Sequence, residues 1–179
     1  MRFTKLDLAG AYVIDIEPQS DARGFFARSW SIEEFADRGL STAMAHCSIS
    51  FNERKGTLRG IHYQAAPFAE VKLVRCTAGA IMDVIVDLRP GSTTFTRWVA
   101  VELSADNRRQ LYVPEGFGHG FQTLCDKSEV WYQISTAHMP ESARGVRWND
   151  ALFAIDWPDP LNATMSERDR SYPDFAANV

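Results

Sequence analysis

Apolar residues in the middle of the chain come in short runs or alternate with polar ones, and none of these stretches carries a helical period. Gly60 to Gln64, Val71 to Cys76, Ala80 to Leu88, Trp98 to Leu103, Gln110 to Val113, Gly120 to Leu124 and Val130 to Ile134 read as strands. Turn chemistry separates them: Arg54-Lys55-Gly56, Ala65-Ala66-Pro67, Pro90-Gly91-Ser92, Ala105-Asp106-Asn107, Pro114-Glu115-Gly116 and Asp126-Lys127-Ser128. Strands repeating at roughly 8 to 15 residues, without helices between them, predict an all-β sandwich, barrel or jelly roll. A parallel α/β fold needs a crossover helix after most strands, and there is no room for them. One helix is expected near Ser31 to Arg38, where Ser31-Ile32-Glu33-Glu34 forms a capping box, Phe35 supplies an apolar contact and Gly39 a stop. From Pro140 onward the strand rhythm breaks. That irregular C-terminal segment is expected to pack on the sandwich, with a short helix opening at Ser166-Glu167-Arg168-Asp169.

Composition narrows the class without changing it. With 179 residues, 45% hydrophobic and 23% charged, the chain reads as one domain spanning 1–179. At this size folding buries about 70% of the unfolded surface, so a core forms without disulfides or a structural metal. The net charge of −4 argues against a nucleic-acid-coating protein. Arginine far outnumbers lysine, and its planar fork suits phosphates and carboxylates, which leaves room for an anionic ligand. Cys47, Cys76 and Cys125 are widely separated and form no CxxC, as expected of reduced thiols. The start of the chain lacks the apolar stretch of a signal peptide, and no apolar run reaches the length of a membrane span. A cytoplasmic protein is expected.

The densest polar cluster within apolar surroundings is Leu58-Arg59-Gly60-Ile61-His62-Tyr63-Gln64. On a regular strand His62 and Gln64 share a face and Arg59 points away from His62. A lone histidine on a strand is more often a hydrogen-bonded core residue than a catalyst. Two further features raise the functional reading. Lys72 lies in the apolar run Val71-Lys72-Leu73-Val74, a costly position unless its ammonium reaches a polar pocket. His119 follows Pro114-Glu115-Gly116-Phe117-Gly118, in a turn loosened by glycine before another strand. This Pro-x-Gly-x-x-His resembles the second motif of the cupins, double-stranded jelly rolls in which that histidine often binds metal. The first cupin motif brings His-x-His, whereas this chain has His62-Tyr63-Gln64. Two imidazoles alone are a poor metal-ligand set.

Read in order, Asp21-Ala22-Arg23-Gly24-Phe25-Phe26, Leu58 to Gln64, Lys72-Leu73-Val74-Arg75, Asp83 to Arg89, Pro114 to Phe121, Glu129-Val130-Trp131-Tyr132, Trp148-Asn149-Asp150 and Ser166 to Asp169 resemble the dTDP-4-dehydrorhamnose 3,5-epimerase family of nucleotide-sugar enzymes, from about Ile14 to Asp174. The resemblance implies a cupin-like jelly roll needing no metal or cofactor, and a homodimer that exchanges N-terminal strands. It implies His62 as the base, Asp169 as the carboxylate that orients it, and Tyr132 as the acid on the opposite face. Lys72 falls near the sugar carbonyl. Arg59 and the partner subunit's Arg23 fall on diphosphate-binding positions, and Phe26, Gln64 and His119 on substrate-binding ones. A C4 ketone acidifies its neighbouring C–H groups, and imidazole is a base matched to neutral pH. Without the resemblance, Tyr132 reads as an ordinary strand aromatic and Asp169 as a cap or surface residue.

Three stretches depart from the better-known members: Ala27-Arg28-Ser29, Ala45 to Asn52, and Thr136-Ala137-His138. All three fall where substrate would be recognised, so a GDP- or CDP-linked 4-keto sugar, or inversion at one carbon only, stays open. So do a metal-dependent cupin enzyme and a catalytically silent nucleotide-sugar-binding module.

Overall fold

A computed structural model of the chain describes residues 1–176; residues 177–179 of the expected domain lie outside the described residues. The strands are β1 (Arg2–Lys5), β2 (Tyr12–Asp15), β3 (Gln19–Asp21), β4 (Gly24–Phe26), β5 (His46–Asn52), β6 (Leu58–Gln64), β7 (Lys72–Ala78), β8 (Ala80–Asp87), β9 (Trp98–Ser104), β10 (Gln110–Val113), β11 (Phe117–Thr123), β12 (Ser128–Ile134) and β13 (Ala143–Gly145). Two short helices, α1 (Ile32–Ala36) and α2 (Glu167–Ser171), flank them. A six-stranded sheet runs β1-β2-β10-β7-β12-β5 and a five-stranded sheet runs β13-β6-β11-β8-β9, every pairing antiparallel. β3 and β4 form a separate ribbon that belongs to neither sheet.

The two sheets face each other, and the period of two along each strand sorts side chains between three layers. Val74, Cys76, Leu111 and Val130 from one sheet meet Ile81, Ile85, Phe117 and Phe121 from the other in the central core. On the outside of the five-stranded sheet, Val84 and Val86 are covered by Val146, Phe153, Ile155 and Trp157 of the irregular C-terminal segment. On the outside of the six-stranded sheet, Ile14, Leu73 and Tyr112 are covered by Phe35 and Leu40 around α1. Among the described residues no helix is long and apolar enough to cross a membrane.

The sandwich expected from the strand spacing is present, and its strands differ from the expected ones in extent. β11 begins at Phe117, so His119 lies within a strand and not in the turn before one. α1 ends at Ala36, short of Arg38, and only half of its capping box forms. The Ser31 Oγ accepts from the Glu34 N–H, but the Glu34 carboxylate instead takes the amino group of Met1 at 2.9 Å. A full positive charge outcompetes a backbone amide for that carboxylate. β1 to β5 and β13 lie outside the strands read from the sequence.

The strand β6 carries a second correction. Opposite β11, His62 pairs with His119 and Arg59 with Phe121, so three steps on β6 span two on β11. The extra residue reverses the alternation. Leu58 and Ile61 both join the outer cluster, while Arg59 and His62 both face the interior cleft, contrary to the regular-strand expectation. The bulge requires glycine on both strands. Gly60 has φ of +124°, and a Cβ there would stand 2.5 Å from the Gly120 Cα.

Candidate active site

At one end the sheets separate to leave a cleft of about 420 Å³ lined by Arg59, His62, Lys72, His119 and Tyr132, together with His46, Ser48, Ser50, Glu70 and His138. The chain has four histidines, and all four line this cleft. A larger recess of about 490 Å³ on the outer face of the six-stranded sheet, lined by Arg75, Arg108 and Gln110, contains neither imidazole nor carboxylate. All the imidazoles of the chain therefore gather at this cleft.

His62 is 40% exposed, and its Nε2 lies 2.6 Å from Oδ1 of Asp169, whose side chain is 6% exposed. Asp169 sits in the first turn of α2, where its N–H donates to the Ser166 hydroxyl at 3.1 Å. Burial alone would push its carboxyl up, but hydrogen bonds from His62, the Gly60 N–H and Ser166 hold it below its ordinary value. An ionised carboxylate on Nε2 keeps the proton there and leaves Nδ1 bare, with no protein partner among the described residues.

Tyr132 comes from β12 of the six-stranded sheet, and His62 from β6 of the five-stranded sheet. The two side chains therefore enter the cleft from opposite walls. Burial drives the Tyr132 phenol well above its ordinary pKa, helped by the charge of Asp83 and opposed by Arg59, so the group is a protonated donor at neutral pH. The His119 ring stands edge-on to it, centroids 5.9 Å apart, and is itself held by Asp83, with Nε2 to Oδ1 at 2.7 Å. Lys72, on the same sheet as Tyr132, places its Nζ 3.0 Å from Glu70 and 3.5 Å from the His62 carbonyl.

Arg59 is aimed by a neighbour. Its Nε donates to Asn52 at 2.8 Å, and buried Asn52 in turn donates to the carbonyls of Ser50 and Ser128, both at 3.1 Å. Gln64 lines the adjoining recess of about 310 Å³ and not the cleft itself. Its amide donates to the carbonyls of Phe68 and Ala137 and accepts from the Met139 N–H, tying two loops together. Arg23 and Phe26 stand on the β3–β4 ribbon, exposed and outside the cleft of their own chain. His62, Asp169, Tyr132, Lys72, Arg59 and His119 thus come together, while Gln64, Arg23 and Phe26 do not. Sequence reasoning gave no role to Glu70 or Asp83, and it placed His46, Asn52 and His138 only within the departing stretches where substrate would be recognised. For the first two a signal exists: Asp83 is a carboxylate inside the apolar run Ile81 to Val86, and Glu70 shares the parity of Lys72.

A sequence model described as dTDP-4-dehydrorhamnose 3,5-epimerase matches residues 5–177. The Escherichia coli K12 dTDP-4-dehydrorhamnose 3,5-epimerase is 43% identical over 160 residues, covering 88% of this chain and 86% of that protein. The crystal structure of the Elizabethkingia anophelis NUHP1 enzyme of the same name superposes with a TM-score of 0.95 at 37% identity, covering 98% and 96% of the two chains. The Legionella pneumophila Philadelphia 1 structure, solved in complex with dTDP-4-keto-L-rhamnose, gives a TM-score of 0.90 at 33% identity, covering 97% and 92%. These relatives match the whole sandwich, and their structures have the cupin jelly-roll fold expected from the sequence. The chain belongs to the dTDP-4-dehydrorhamnose 3,5-epimerase family.

Proposed function

We propose that this protein is an isomerase acting on a nucleotide-linked 4-keto-6-deoxy sugar, converting dTDP-4-dehydro-6-deoxyglucose to dTDP-4-dehydrorhamnose by inverting the carbons on either side of the ketone. The single observation that carries this reading is the arrival of a carboxylate-held imidazole and a protonated phenol from opposite walls of one cleft. A sugar ring lying between them loses a proton on one face and regains one on the other. Nδ1 of His62 takes the C–H proton, and the bond pair moves into the enolate. Asp169 stabilises the imidazolium that forms. Lys72 faces the oxygen on which charge accumulates, which is where a fixed positive group lowers the barrier most. Tyr132 then delivers its proton to the opposite face, and solvent restores both residues.

Arg59 in the cleft wall is our candidate for the diphosphate, with Arg23 and Phe26 supplied by a second copy of the chain. Two features support the exchange. Among the described residues β5 pairs only with β12 and so ends the six-stranded sheet with an open edge, while Ile49 and Phe51 on it are 61% and 47% exposed. The β3–β4 ribbon is exposed along its length, with Phe26 76% exposed. An unpaired edge and an unpaired ribbon satisfy each other by strand addition. We also assign the protein to the cytoplasm, since Cys47, Cys76 and Cys125 are free thiols.

Incubation with dTDP-4-dehydro-6-deoxyglucose in D₂O tests the reading. Deuterium should enter at C3 and C5 with conversion to the rhamno configuration, followed by proton NMR. Label at one carbon only would make the protein a mono-epimerase, and binding without label would make it a silent nucleotide-sugar module. Repeating the assay with GDP- and CDP-linked 4-keto sugars fixes the nucleobase.

A further inference from the structure

We propose that Glu70 is a positioning residue that holds the Lys72 ammonium at the place where the enolate oxygen develops; the proposal rests on the epimerase reading above. Lys72 is the first residue of β7 and is 8% exposed. An ammonium at such depth is unfavourable unless a counter-charge and hydrogen bonds accompany it. Glu70, two residues earlier and on the same side of the extended chain, supplies the counter-charge at 3.0 Å, its own side chain only 11% exposed. The His62 carbonyl, at 3.5 Å, accepts a second N–H. An ammonium has three donors, and the third has no protein partner among the described residues, while Lys72 and Glu70 both line the cleft. A flexible four-carbon stem is thereby reduced to one location of its charge, within reach of the strand that carries the base.

The pair also has a cost that makes the proposal testable. Glu70 lies on the cleft wall, so its negative charge opposes a nearby enolate. If location matters more than net charge, a neutral acceptor in its place keeps most of the effect. Glu70→Gln should then stay within about fivefold of the wild-type kcat, whereas Glu70→Ala should lose about 10²-fold in kcat with KM moved less than threefold. If repulsion dominates, both variants should be faster than wild type, and the proposal is overturned.

A second readout needs no turnover. The chain has four lysines, and Lys5, Lys55 and Lys127 are exposed. With ¹⁵N-lysine labelling, exposed ammonium groups exchange rapidly with water, so the wild type should show one protected NH₃⁺ resonance, absent in Lys72→Arg. That resonance should persist in Glu70→Gln and vanish in Glu70→Ala. A resonance unchanged in Glu70→Ala would refute the positioning role whatever the activity. Loss of the resonance in a protein that labels no keto sugar would leave the positioning intact and remove the epimerase reading instead.

Discussion

Replacing Asp169 by asparagine changes one charge and almost no volume, and the local geometry determines the effect on the base. In the wild type the carboxylate accepts from Nε2 of His62 at 2.6 Å, so the proton sits on Nε2 and Nδ1 is the basic atom. Proton abstraction turns the imidazole into an imidazolium, and the contact becomes an ion pair only in that step. A hydrogen bond to a charged group contributes about 1.5–3 kcal/mol, so its loss slows abstraction by roughly 10- to 150-fold. The amide can also turn its NH₂ toward Nε2, which moves the proton to Nδ1 and caps the base. A wrong tautomer of this kind costs about 10⁴ in kcat in hydrolase triads. Asp169→Asn is therefore expected to lower the rate of deuterium wash-in by roughly 10²- to 10⁴-fold with KM little changed. Initial rates of label incorporation give the number, and a circular dichroism melt at pH 7 shows whether the variant folds. A folded variant exchanging within about threefold of wild type, while His62→Ala is inactive, would refute the assignment of the carboxylate as the group that orients the base.

Tyr132→Phe should still exchange label but invert slowly, by roughly 10²-fold, because abstraction survives and delivery to the far face does not; equal losses of both would contradict its role. Arg23→Ala should raise KM about tenfold through a lost diphosphate contact. Mixing it with His62→Ala should restore low-KM activity, since a mixed dimer then contains one complete cleft; no restoration would mean that Arg23 does not act across the interface. Asp87→Asn should lower stability by about 2 kcal/mol at pH 7. Burial would raise that carboxyl, but Arg89, Ser92 and Thr94 outweigh it and hold it at about 2, from 3.8. Because the folded-state value is depressed, the contribution is complete above the unfolded value and fades as pH falls through about 2. Urea midpoints of the two proteins should accordingly converge in acid, and a constant gap would refute the argument.

The residues that escape sequence reasoning do so for identifiable reasons. β5 lies outside the strands read from the sequence although Cys47-Ser48-Ile49-Ser50-Phe51 alternates with a period of two, the pattern of a strand. The β3–β4 ribbon carries no such pattern, because its residues are exposed and bury no face that could impose one. Shared parity with His62 points Gln64 toward the cleft, but parity cannot tell a lining residue from one whose amide ties loops together. Asp83 acts through His119 on another strand, and a lone carboxylate in a sequence does not name such a partner. Glu70 acts on Lys72 two residues on, where shared parity is the one local signal.

β6 and Asp169 mark the two limits of local reading. The alternation rule sends Arg59 and His62 to opposite faces, yet the apolar pair Leu58 and Ile61 stands three apart with Gly60 between them. An interval of three inside a strand, with glycine inside it, is the mark of one inserted residue, so the bulge that puts both Arg59 and His62 in the cleft is present in the pattern. Asp169 is the opposite case. Ser166 to Asp169 announces a helix start, and the backbone does make that cap. The cap uses the Asp169 N–H and leaves Oδ1 of the carboxylate able to meet an imidazole 107 residues earlier in the chain. No local rule specifies that meeting. It arises because the C-terminal segment covers the outer face of the five-stranded sheet, where Val146 and Trp157 pack beside Leu58 and Ile61. The same apolar pair that signals the bulge thus also anchors the segment that carries the acid. A substitution at Leu58 or Ile61 is therefore expected to disturb the orientation of the base from both directions.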